Sequence, residues 1–199
     1  MKTFAHAAFL ASAGQVAEFP SEGPPEIAFL GRSNVGKSSA INALSGRRRL
    51  AFASKTPGRT QTVNFYDLGG SGRLVDLPGY GYARVPRSER AKWDRLVSSY
   101  LLERNTLAGV VVVMDARHPV TPQDERLFEW LRPLTVPRLA LLTKADKLSR
   151  NERAQALAHA ARRGVADVLL FSSVSREGVD AARERLAQWL LDARSDSRL

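Results

Sequence analysis

Ile27-Ala28-Phe29-Leu30-Gly31-Arg32-Ser33-Asn34-Val35-Gly36-Lys37-Ser38-Ser39-Ala40-Ile41-Asn42-Ala43-Leu44 decides the fold. The four apolar residues at its start read as a buried strand. Ser39 to Leu44 read as the first turns of a helix. Between them Gly31 to Ser38 match GxxxxGKS, a glycine-rich turn that aims successive backbone N–H groups at one point. The positive end of the following helix points the same way, so the segment forms a cradle for phosphate. Lys37 is placed to reach β- and γ-phosphates, and the Ser38 hydroxyl to ligate Mg²⁺.

A second signal names the base. Thr143-Lys144-Ala145-Asp146 follows the apolar run Leu139 to Leu142. Guanine presents a ring N–H and an exocyclic amine side by side, and the carboxylate of Asp146 accepts both. Adenine has no such donor pair and would leave that carboxylate unmatched, at a cost of about 1.5–3 kcal/mol. The stem of Lys144 would lie along the base. Later, Phe171-Ser172-Ser173 ends another apolar run and would turn backbone N–H groups toward the guanine oxygen.

Between the two lies Leu74-Val75-Asp76-Leu77-Pro78-Gly79, a strand ending in DxxG. Asp76 would hold Mg²⁺ through a water, and the Gly79 N–H would meet the γ-phosphate and report its presence. The preceding segment, Lys55 to Thr62, is rich in turn and hydroxyl residues, as a mobile loop requires. Thr60 is the favoured second Mg²⁺ ligand there and Thr56 its competitor.

The 199 residues suffice for one core, with a net charge of +10 and no cysteine. A disulfide scaffold and thiol chemistry are thereby excluded. The three histidines, His6, His118 and His159, are scattered and show neither zinc spacing nor a nucleophile's partner set. No apolar stretch approaches the roughly 20 residues of a membrane span. The first thirteen residues mimic a feeble leader, but the patch is broken by His6, and a packed extra strand is expected. Basic residues cluster at Arg47-Arg48-Arg49, at Arg84, Arg87 and Arg90, at Arg150 with Arg153, and at Arg162-Arg163. Such a chain is drawn to polyanions. No sequence-reading RNA or DNA module is present, so binding to phosphate and shape is expected, without DNA sequence specificity.

Strands are expected at 27–30, 62–68, 72–76, 109–114, 138–142 and 167–171, and helices at 37–45, 88–103, 121–131, 150–162 and 177–192. Gly69-Gly70-Ser71 joins the second and third strands as a hairpin. The remainder is βα repetition. The expected fold is α/β: a mostly parallel six-stranded sheet with one antiparallel strand, helices on both faces and an added N-terminal strand. The chain reads as a single GTP-binding domain with residues 1–21 as an extension packed on it.

GRSNVGKSS, SKTPGRTQTVNFY, LVDLPGYGYARV and TKADKL together resemble the EngB/YsxC-type bacterial GTPases of ribosome assembly. The likeness runs from about Phe9 to Leu190. It implies a P-loop GTPase of Ras-like fold, a GTP-hydrolysing switch that helps mature the large ribosomal subunit with Mg²⁺ and GTP or GDP bound; a cytoplasmic monomer acting on rRNA is expected. By this resemblance Gly31, Arg32, Ser33, Asn34, Val35, Gly36, Lys37, Ser38 and Ser39 contact nucleotide. So do Gly58, Arg59, Thr60, Gln61 and Thr62, then Asp76, Leu77, Pro78 and Gly79. Thr143, Lys144, Ala145 and Asp146, with Phe171, Ser172 and Ser173, surround the base. Ser38, Thr60 and Asp76 serve the metal. Lys37, Thr60, Gly79 and Asn34 serve the reaction. Where Ras-like enzymes place a water-orienting glutamine after DxxG, this chain has Tyr80, so intrinsic hydrolysis is expected to be slow. Related GTPases with asparagine at position 34 use K⁺ there; the other reading of Asn34 is that it suits the turn. RNA modification, docking to a protein at the membrane, and nucleotide binding without turnover are the alternatives.

Overall fold

The computed structural model describes residues 3–52, 62–80 and 87–196, with the side chains of 87–90, 93 and 196 left aside. The strands are β1 (Ala8–Ala13), β2 (Glu26–Gly31), β3 (Val63–Asp67), β4 (Arg73–Asp76), β5 (Leu107–Asp115), β6 (Arg138–Thr143) and β7 (Val168–Leu170). The helices are α1 (Lys37–Ser45), α2 (Arg87–Glu103), α3 (Pro122–Leu131), α4 (Arg150–Arg162) and α5 (Val179–Asp196). Among the described residues the strands form one sheet in the order β1-β3-β4-β2-β5-β6-β7. Only β3 runs against its neighbours, pairing antiparallel with both β1 and β4. The N-terminal apolar run is thus a seventh, edge strand, anchored by Phe4 in the core.

Strand β5 explains why the apolar runs lack alternation. Val111 and Val113 pack with α1 and α5, while Val110, Val112 and Met114 pack with α2, α3 and α4. A parallel strand covered on both faces has no polar side to show. On α5 the spacing of Val179, Ala182, Leu186, Trp189 and Leu190 gives one apolar stripe, all buried. Trp189 lies so close to β5 that a Cβ on Gly109 would stand 2.3 Å from its ring, so that strand position must lack a side chain. Helix ends follow local chemistry: Pro122 opens α3, and Gly164, at φ +76°, follows α4.

At the amino ends of the strands sits the fully buried carboxylate of Glu26. It accepts from Arg73 Nη1 at 2.9 Å, Arg104 Nη2 at 2.8 Å and the Tyr100 hydroxyl at 3.0 Å. Burial first, then the Glu26 charge, pushes the Tyr100 phenol well above its ordinary value. Arg104 and Arg73 also donate to the carbonyls of Pro20 and Ser21 at 2.8 and 2.9 Å, fastening the segment after β1 beneath the sheet.

Strand β2 is flanked by β4 on one side and β5 on the other, and the chain turns back at this point. A crevice opens outside the carboxyl end of such a strand, the ordinary place for a ligand in this architecture.

Candidate nucleotide site

The loop leaving β2 fills that crevice. Asn34 and Gly36 both take positive φ, +64° and +100°. Glycine reaches that region without cost and asparagine more readily than other residues, so the turn reading of Asn34 is visible directly. Gly31 has no space for a side chain, since a Cβ would lie 2.8 Å from the Val113 carbonyl oxygen. The loop is braced from below: the Thr143 hydroxyl contacts the Val35 carbonyl and donates to Met114 O at 2.9 Å. Thr143, expected beside the nucleotide, is buried, and its hydroxyl supports this loop.

Lys37 opens α1, and its ammonium meets the Asp76 carboxylate at the end of β4. Burial pushes the Lys37 amine down to about 7, while the adjoining carboxylate favours its charged form. Beyond Asp76 the chain stays beside the P-loop strand: Leu77 N donates to Phe29 O at 3.1 Å and Tyr80 N to Gly31 O at 3.3 Å. Gly79 therefore lies against the loop, where a Cβ would stand 3.4 Å from Ser33 Oγ. That hydroxyl is buried and has no hydrogen-bond partner among the described residues. A polar atom left in that state asks for a ligand. Lys37, Ser38, Asp76 and Gly79 line, with Ser33 and Asn34, an open cavity of about 990 Å³. Gly58, Arg59, Thr60 and Gln61, and the competing Thr56, lie outside the described residues; Thr62, just before β3, lines the cavity.

On the base side, Asp146 sits in a 3-10 turn after β6, and its Oδ1 accepts from Ser172 Oγ at 2.6 Å. That bond, foremost, holds the Asp146 carboxyl below its ordinary value. Ser172 is oriented in turn by Val174 N and Ser175 N, which donate to its oxygen at 3.1 and 3.0 Å. The expectation for residues 171–173 needs correction. Phe171 N donates to Leu142 O at 2.8 Å, as β-pairing requires, and Ser172 N donates to Glu177 O at 3.0 Å. Of the three N–H groups only that of Ser173 has no partner among the described residues.

Two carboxylates escaped the sequence reading. Asp115, at the end of β5, accepts from Arg117 Nη2 at 2.7 Å and Lys144 Nζ at 2.8 Å. Burial pushes its carboxyl up, but the bonds from Arg117 and Lys144 outweigh this and hold it well below the ordinary range. Lys144, itself at φ +59°, also donates to the Asn34 carbonyl at 2.8 Å, tying the turn after β6 to the loop after β2. Asp124 on α3 is the second. It accepts from Tyr80 OH at 2.7 Å and from Arg32 Nε at 3.2 Å. Arg32 and Tyr80 are thereby directed to α3, and burial, with the Asp124 charge, pushes the Tyr80 phenol far up. A carboxylate closing an apolar strand was the available signal for Asp115; the TPxD helix start was the one for Asp124.

Residues 26–144 match a family model described as a 50S ribosome-binding GTPase. The chain is 52% identical over 186 residues to the probable GTP-binding protein EngB of Thiobacillus denitrificans, covering 92% of this chain and 90% of that one. The chain belongs to the EngB family of GTP-binding proteins. The EngB protein of Dechloromonas aromatica is 49% identical over 197 residues, covering 96% and 90% of the two chains. A crystal structure of a probable GTP-binding protein EngB superposes with a TM-score of 0.67 at 18% identity, covering 84% of this chain and 99% of that one. Era in complex with MgGDPNP and nucleotides 1506–1542 of 16S ribosomal RNA shares the fold, with a TM-score of 0.64 at 18% identity, covering 85% and 57%. As an EngB-family member the chain is a GTP-hydrolysing enzyme. Among the described residues no helix is long and apolar enough to cross a membrane.

Proposed function

We propose that this chain is a GTP-driven switch in the assembly of the large ribosomal subunit, working in the cytoplasm as one GTP-binding unit. The observation that carries this reading is the match to a 50S ribosome-binding GTPase over residues 26–144, in a chain of net charge +10. Arg47, Arg48 and Arg49 are exposed, Arg49 lining the cavity, and Arg150 and Arg162 are exposed on α4. Arg153 leaves the list of RNA contacts: it braces the fold through Ala145 O at 3.1 Å, Leu148 O at 3.0 Å and Glu177 at 3.1 Å. Arg84 and the side chains of Arg87 and Arg90 lie outside the described residues.

The site residues have separate duties. Lys37 and the loop N–H groups bind and orient the phosphates. The Gly79 N–H receives the γ-phosphate, and Asp146 with Ser173 reads the base. Mg²⁺ would be held by Ser38 directly, by Asp76 through a water, and by Thr60; it would offset negative charge on the β- and γ-phosphates. The unpaired Ser33 hydroxyl and the buried Asp76 support that fit. Tyr80, engaged with Asp124, does not replace the water-orienting glutamine, so unassisted hydrolysis is slow.

The test is co-sedimentation with separated ribosomal subunits across a salt series. Binding to the large subunit or its precursor with a non-hydrolysable GTP analogue, lost with GDP, is expected to survive near-physiological salt. Equal binding in both states that fades uniformly with salt would reduce the interaction to counterion release and overturn the switch. A second expectation concerns Asn34, whose side chain would hold K⁺ near the γ-phosphate. Turnover should be faster in K⁺ than in Na⁺ at matched ionic strength; equal rates would leave Asn34 with its turn role alone.

A further inference from the structure

Asp124 is more than the cap of α3. It has no exposure, and donors converge on it from three segments. Thr121 N and Thr121 Oγ1, at 2.8 and 2.7 Å, belong to the helix start. Arg32 and Tyr80 come from 92 and 44 positions away. A capping carboxylate at the surface does its work with local donors alone. A buried one has its charge met by every donor that reaches it, and losing one is felt by the segment that supplied it. Tyr80 is held twice, at its backbone by Gly31 O at 3.3 Å and at its hydroxyl by Asp124 at 2.7 Å. The peptide between Gly79 and Tyr80 is thereby pinned beside the P-loop, with Gly79 itself packed against Gly31 O and Ser33.

We propose that Asp124 is a positioning residue for γ-phosphate recognition: through Tyr80 and Arg32 it holds Gly79 against the phosphate loop, so that the Gly79 N–H is in place before the nucleotide arrives. GDP has no group at that point and gains nothing from the arrangement. GTP meets a donor already ordered and is spared the entropy of fixing it. Asp124 therefore contributes to discrimination between the two nucleotides without touching either. This rests on the reading of Gly79 as the γ-phosphate donor.

The experiment compares equilibrium affinities for GDP and a non-hydrolysable GTP analogue in three variants, with thermal midpoints measured alongside. Tyr80→Phe removes the phenolic donor and keeps the helix cap. Thr121→Ala removes a capping donor and keeps the clamp. Gly79→Pro removes the backbone N–H and tests the premise. Tyr80→Phe should weaken analogue binding about five- to tenfold, the usual scale of a coupling between sites, and change GDP affinity less than about twofold. Thr121→Ala should lower the thermal midpoint and leave the affinity ratio alone. An unchanged ratio in Tyr80→Phe, or an equal shift in Thr121→Ala, would return Asp124 to the role of a cap. If Gly79→Pro binds the analogue as the wild type does, the premise fails, whatever Tyr80→Phe shows.

Discussion

Lys37→Ala abolishes tight binding of both GTP and GDP. Lys37 is the first residue of α1; its ammonium stands beside Asp76 and lines the same cavity as the unpaired Ser33 hydroxyl, where the phosphates are expected to lie. Its two expected partners are phosphate oxygens, and each charge-assisted bond contributes about 1.5–3 kcal/mol. Losing both lowers affinity on the order of 10²- to 10⁴-fold. The damage is compounded, because the alanine leaves Asp76 without its cation in a site that must accept negative charge. Titration calorimetry with GDP decides the matter. An unchanged dissociation constant would remove the phosphate-cradle assignment altogether.

Asp146→Asn exchanges the base. A carboxylate offers two acceptors to the paired donors of guanine. The amide offers one acceptor and one donor, which suits xanthine, where a carbonyl replaces the exocyclic amine. The side chain keeps an oxygen for Ser172, whose hydroxyl donates to Asp146 at 2.6 Å, so the turn should hold its shape. Guanine nucleotide affinity should fall roughly 10- to 150-fold, the equivalent of one charge-assisted hydrogen bond, and xanthine nucleotide affinity should rise. Competition between GDP and XDP for the variant measures both. If guanine is still preferred, another group reads the base.

The sheet was legible because each strand is a run of apolar residues between turn signals, and each motif stands where such a run ends. Gly31, Asp76 and Thr143 end β2, β4 and β6, so spacing along the chain already brought them to one edge. The reversed strand β3 was readable from the Gly69-Gly70-Ser71 turn. What stayed hidden was the set of buried charges. Glu26, Asp115 and Asp124 each sit at the start or end of an element, and most of their partners are distant in sequence: Tyr100 is 74 positions from Glu26, Lys144 is 29 from Asp115, and Arg32 is 92 from Asp124. Periodicity records which face of an element is apolar. It holds no record of which arginine folds back onto which carboxylate. The same limit misjudged Phe171 and Ser172, whose N–H groups are used by the sheet and the turn before any base arrives.

The bond from Lys144 to the Asn34 carbonyl makes one body of two loops with separate tasks. The lysine whose stem is expected to lie along the base also holds the loop after β2 by its head. A nucleotide that seats badly under that stem disturbs the grip on its own phosphates. Fidelity would then be a property of the whole nucleotide, with a wrong base felt at both ends.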